Sequence, residues 1–237
     1  MVREISTDVT TFIEFLRDYN LSDQLNNQKY LEHLKTMHKK AYGYILFIAE
    51  LDIMFEETLN EDILKSFKEA GSDIMQSIFC WANGAYKPAK LLLRSALETY
   101  VKASVGFQSG EIFEEKSIYK IFETAKESNF YKSEIGNRNY HIIHDAYKVL
   151  CMTAHNSLSI DLGSINSMKL LPRFDTKISN EFKSLFLKVL EAKLANLLLN
   201  FHVEFHKMHP MNRVLFLSTI SLSSKREIFE FYGNQQI

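Results

Sequence analysis

Cysteine, proline and glycine are all scarce in this 237-residue chain, and each scarcity excludes something. The two cysteines, Cys80 and Cys151, lie far apart in segments with helical patterning, so no disulfide framework is indicated and a reducing, cytoplasmic location is expected. Three prolines and eight glycines are too few for a sheet-rich fold with many tight turns. No apolar run reaches the ~18 residues that a membrane span requires, and Met1-Val2-Arg3-Glu4-Ile5 opens no signal-peptide core. Neither secretion nor membrane insertion is expected. An excess of one charge is missing too, with 28 Lys plus Arg against 29 Asp plus Glu, so no global basic field announces a nucleic-acid partner. Any contact with RNA must therefore be local.

What is present is helix. Hydrophobic residues make up 46% of the chain, enough for a sizeable core. Tyr30, Leu34, Met37, Ala41, Tyr44, Ile48, Leu51 and Phe55 alternate four and three apart and keep to one stripe for about seven turns. Such a stripe packs lengthwise on another helix, within the fold or across a dimer, and Ser22 is placed to cap its helix. Asn60 opens a third helix that ends at Asn83-Gly84, and a fourth runs from about Tyr86 to Val105 with Pro88 in its first turn. Leu91, Leu92, Leu93, Ala96, Leu97, Tyr100 and Val101 surround that fourth helix, which makes it the centre of the bundle. A short helix at Ile118 to Ala125 and a longer one from Asn137 to His155 follow. After a loop with Gly163 and Pro172, a long helix runs from Ser179 to Met208 and Pro210 stops it. Ser224 with Glu227 reads as a capping box for a last short helix ending at Gly233. The expectation is an all-α helical bundle of long antiparallel helices over 1–210, with a short C-terminal helical appendage over 211–237.

Polar residues on these apolar helices are the functional lead. Arg94 and Glu98 stand four apart on the most apolar helix, so they share a face and need partners, either in a packing ion pair or in a binding pocket. On the next long helix Tyr140, His144, Tyr147, Cys151 and His155 fall within a sector of roughly 80°. Ile142, Ala146, Val149 and Thr153 lie opposite, which leaves the Tyr/His/Cys stripe at the boundary of core and solvent, where such groups serve packing or acid–base chemistry. Arg138 and His144 form a second candidate pair, a histidine that can act as a base and an arginine that can stabilise phosphate charge. Six residues separate them, about 120° around a helix, so they converge only if Arg138 lies at or before the helix start. Cys151 beside His144 or His155 reads as a small core residue ahead of a nucleophile. His202, His206 and His209 follow one stripe without a completing carboxylate or cysteine, and their expected role is to complement a helix C-terminus. No metal and no cofactor is expected.

Gly84-x-Tyr86-x-x-Ala89 with Arg94-x-x-x-Glu98, followed by Tyr147 and His155, resembles the pattern of HEPN-like bacterial helical-bundle proteins, over about Ile63 to Ser157. The Arg138 to His144 segment is similar to the short signature of ribonucleases in that superfamily. The resemblance implies bundles that pair as homodimers or dock a protein partner, often in toxin–antitoxin or antiviral defence systems. It also implies metal-independent ribonuclease activity in some members, and binding of RNA, nucleotides or proteins without catalysis in others. Under it His144 or His155 acts as base, Arg94 or Arg138 stabilises phosphate charge, Glu98 orients the arginine and Tyr147 lines the site. The alternative is a non-enzymatic module that docks its partner through the Tyr30 to Phe55 stripe.

Overall fold

The computed structural model describes residues 3–17, 21, 25–55, 60–155 and 175–234, with backbone alone at 153–155 and 234. Among them are ten α-helices: α1 (Arg3–Arg17), α2 (Gln28–Met54), α3 (Glu61–Ala82), α4 (Tyr86–Gly106), α5 (Ile118–Glu127), α6 (Glu134–His155), α7 (Thr176–Asn200), α8 (His202–Lys207), α9 (Pro210–Thr219) and α10 (Leu222–Asn234). Short 3-10 turns at Gly110–Phe113 and Asn129–Tyr131 flank α5. The protein is an all-α helical bundle, and no described helix is long and apolar enough to cross a membrane. Expected features at Ser22 and in the Gly163 and Pro172 loop lie outside the described residues.

The long stripe is buried within the chain itself. Tyr30, Leu34, Met37, Ala41, Tyr44, Ile48 and Leu51 are all buried, packed between α3, α7 and α9. A docking role for that stripe is thereby corrected, because the surface it would use is already covered by the chain's own helices. Asn27 caps α2, its side chain accepting from the Tyr30 N–H at 3.1 Å. Asn60 caps α3 as expected, accepting from the Asp62 N–H. The turn from α3 to α4 is closed by Gly84 at φ 72°, a left-handed conformation that glycine adopts without Cβ strain.

Buried tyrosine hydroxyls tie helices together through main-chain carbonyls. Tyr30 donates to Ala82 O at 2.7 Å and Tyr44 to Phe67 O at 3.1 Å, both from α2 to α3. Tyr100 donates to Lys193 O at 3.2 Å, and Tyr140 to Phe122 O at 2.8 Å. A tyrosine can thus contribute its large apolar ring to the core while its hydroxyl stays satisfied.

Helix α4 packs against α3, α5, α6 and α7. From Tyr100 to Gly106 every residue except Lys102 is buried, so the C-terminal half of α4 is central as expected. Its N-terminal half opens outward, with Leu91 41% exposed.

The C-terminal segment belongs to the same core. Phe216, Ile220 and Ile228 join the common hydrophobic cluster, and the Phe216 ring lies 4.4 Å from Phe47. α9 crosses α2 so closely that a Cβ on Gly43 would meet the Thr219 hydroxyl oxygen at 2.1 Å. Pro210 therefore marks a change of helix and not a limit of packing. The single helix expected from Ser179 to Met208 is instead broken at Phe201, whose φ of −114° and ψ of 38° leave the α region. The turn lets Phe201 enter an aromatic cluster with Phe47, Phe107 and Phe130. The expected Ser224/Glu227 capping box is also absent. α10 starts a little earlier, Ser221 Oγ accepts from the Ser224 N–H at 3.2 Å, and Ser224 and Glu227 turn to other partners.

Candidate functional site

The pairing of α4 with α6 brings Arg94, Glu98 and Tyr147 together. Arg94 Nε donates to Glu98 Oε1 at 2.8 Å, across one turn of α4. The guanidinium carbon sits 5.5 Å from the Tyr147 ring centre, and Nη2 approaches the Tyr147 hydroxyl at 3.5 Å. Both charged side chains stay partly open, 28% exposed for Arg94 and 29% for Glu98. Among the described residues Nη1 of Arg94 has no hydrogen-bond partner. Burial works against the Arg94 charge, but Glu98 outweighs it and raises the guanidinium further above its ordinary value. Tyr147 is raised as well, first by burial and then by its contact with Cys151 and the charge of Glu98.

His144 lies on the same aromatic strip. Its ring stacks on Phe122 at 5.0 Å and 27°, and Phe122 in turn contacts Tyr147 at 4.7 Å. Burial lowers the His144 pKa, with Lys148 adding to the effect and Asp145 opposing it, so the imidazole is neutral at pH 7 and able to accept a proton.

The faces of α6 differ from expectation. Tyr140 and Tyr147 belong to the core with Ile143 and Leu150, whereas Val149 is 46% exposed. The large tyrosine rings gain more from burial than the small valine side chain does, and Tyr140 keeps its hydroxyl bonded. Only His144 and Cys151 of the described stripe side chains are at the boundary. The His155 side chain lies outside the described residues.

Arg138 is placed elsewhere. α6 begins at Glu134, so Arg138 sits inside the helix and the condition for converging with His144 is not met. Its fork grips Glu227 of α10, Nη1 to Oε1 at 2.7 Å and Nη2 to Oε2 at 2.5 Å. His209 also leaves the histidine stripe: it precedes α9, and its Nδ1 accepts from the Met211 N–H at 3.3 Å. His202 and His206 remain together on α8. Among the described residues no group of three or more His, Cys, Asp or Glu is placed to hold a metal.

Two polar clusters escaped the sequence reading. Lys193 of α7 is fully buried, its Nζ donating to Ala96 O at 2.8 Å and lying 4.7 and 5.2 Å from the Tyr100 and Tyr44 rings. Beside it Asn139 Nδ2 donates to Asn196 Oδ1 at 2.9 Å, joining α6 to α7. A lysine set among Val189, Leu190, Ala192, Leu194, Ala195 and Leu197 was the available signal. Glu191 is the second hub, accepting from Lys40, from the Ser221 N–H at 2.9 Å and from Ser224 Oγ at 2.8 Å.

Comparison of the chain with protein-family models, with curated proteins and with solved structures finds no match in any of the three. The site must be read from its own chemistry.

Proposed function

We propose that this chain is a HEPN-like protein of the defence or toxin type that binds RNA or a nucleotide at the α4/α6 seam. Arg94 is the phosphate contact, Glu98 and Tyr147 hold it, and the proposed binding or cleavage proceeds without a metal ion. The observation that carries this reading is the guanidinium braced by Glu98 at 2.8 Å on the Tyr147 face, with Nη1 still available for a phosphate oxygen. Arg94 takes precedence over Arg138 in this role because both Arg138 η nitrogens are already engaged by Glu227. In the catalytic version His144 is the base, a neutral imidazole stacked on the buried ring of Phe122.

The alternative of a non-enzymatic module or homodimer must use another face, since the Tyr30 to Leu51 stripe is occupied internally.

The test is fluorescence anisotropy with labelled single-stranded RNA and with ATP, run beside a gel assay for cleavage, each with and without chelator. Arg94→Ala is expected to weaken binding by about 10- to 100-fold, the loss of a charge-assisted phosphate contact worth ~1.5–3 kcal/mol. Arg138→Ala is expected to leave binding unchanged. A wild-type chain that binds neither probe, or an Arg94→Ala chain that binds as well as wild type, overturns the proposal.

A further inference from the structure

The start of α8 carries a feature that the seam does not use. His202 and His206, one turn apart, face each other with their Nε2 atoms 3.2 Å apart, while the ring centres are 4.5 Å apart. The nitrogens are closer than the rings, so the two imidazoles meet through their Nε2 atoms in a hydrogen bond, one ring donating its N–H to the other's lone pair; an ion that takes the place of the shared proton meets both nitrogens. Zinc–nitrogen bonds of ~2.0–2.1 Å at a tetrahedral angle require a nitrogen separation of about 3.3–3.4 Å. The observed spacing matches that requirement to within a small side-chain rotation.

We propose that His202 and His206 chelate a divalent transition-metal ion of the zinc and copper class through their two Nε2 atoms. One half of the chelate is already held in place. The His202 ring lies flat against Tyr232 of α10, with 3.8 Å between centres and 14° between planes, and Tyr232 donates its hydroxyl to Leu199 O. His206 is exposed, so an ion reaches the pair from solvent. Imidazole nitrogen selects zinc, copper and nickel over magnesium and calcium, which take oxygen ligands. Among the described residues no third protein ligand joins, so the bound ion keeps coordination positions for water or a small anion.

The experiment titrates the full chain with Cu2+ and with Zn2+ by calorimetry, with thermal melts in parallel. The expected result is one ion per chain, a rise in Tm with Zn2+, and a Cu2+ electron paramagnetic resonance spectrum with two equatorial nitrogens. His206→Ala removes an exposed ligand and leaves the Tyr232 stack in place; it is expected to lower affinity on the order of 100-fold and to abolish the Tm rise. His209→Ala is expected to bind as wild type. A wild-type chain that takes up no ion, or a folded His206→Ala chain that binds as tightly as wild type, overturns the proposal. RNA binding at Arg94 is read in separate assays with chelator present, so failure of either site leaves the other testable.

Discussion

Lys193 Nζ donates to the Ala96 carbonyl at 2.8 Å from a position with no solvent exposure. The bond joins the middle of α7 to the middle of α4, and the amine is enclosed by the rings of Tyr44 and Tyr100. Burial pushes the Lys193 pKa well below 10.5, and the charge of Asp73 only partly opposes it.

A group whose folded pKa is depressed in this direction binds a proton more readily in the unfolded chain. Stability therefore rises with pH from the folded value of Lys193 toward 10.5. Above about pH 10 the raised tyrosines Tyr44 and Tyr100 act the other way, because they ionise more easily once unfolded. Urea unfolding between about pH 7 and about pH 9.5 should show the rise. Lys193→Met is expected to flatten that slope and to stabilise the chain at pH 7 by about 1–3 kcal/mol, since an apolar side chain replaces a buried amine. An unchanged slope in the variant would count against Lys193 as its source.

Arg94 supplies a prediction that separates binding from folding. The Arg94–Glu98 pair is more than a quarter exposed on both sides, so its loss should cost at most ~1 kcal/mol of stability. Arg94→Lys keeps the charge but removes the planar fork. It is expected to retain Tm within a few degrees while losing most RNA affinity; equal losses of both would point to a purely structural pair.

Glu191 should dominate the acid limb. Burial opposes its ionisation, but Lys40 and Ser221 outweigh that penalty and hold its carboxyl below 4.5. Its contribution is complete above 4.5 and is lost as pH falls through the folded value. Glu191→Gln is expected to destabilise by about 1–3 kcal/mol at pH 7, with the gap to wild type closing below about pH 4. Circular dichroism melts at pH 7 and pH 3.5 measure both ends of that range.

Gly43→Ala tests the crossing of α2 over α9. The new methyl would overlap Thr219 at both its hydroxyl and its Cβ, the latter at 2.7 Å, so the helices must part. The expected cost is about 1–3 kcal/mol, read as a lower urea midpoint at constant m-value. A neutral outcome would place α9 farther from α2 than described.

Much of the bundle is legible in the sequence because 3.6-residue periodicity survives wherever one helix face is buried. The Tyr30 to Leu51 stripe, the Asn60 cap and the Gly84 break are examples. Periodicity says nothing of which helix lies opposite, so the stripe's burial against α3, α7 and α9 was not readable. The Phe201 break carries no glycine or proline and arises from tertiary pull on one aromatic ring. Lys193 was missed because lysine scores as solvated in any hydropathy pattern, whatever its surroundings. The partnership of Arg94 with Glu98 followed from spacing, but Tyr147 joins them only through the pairing of α4 with α6. The histidine run gave its metal-like spacing to one pair only, since His209 left α8 to cap the next helix.

The tyrosine hydroxyls have a mechanical consequence. Tyr30 and Tyr44, about 21 Å apart along α2 at 1.5 Å per residue, grip α3 at Ala82 and Phe67. A slide of one helix past the other by a single turn, ~5.4 Å, would carry both hydroxyls off their carbonyls at once and strand them in an apolar interior. Helices α2 and α3 are thereby locked in register, and a signal passing through this protein must travel by some motion other than a ratchet between them.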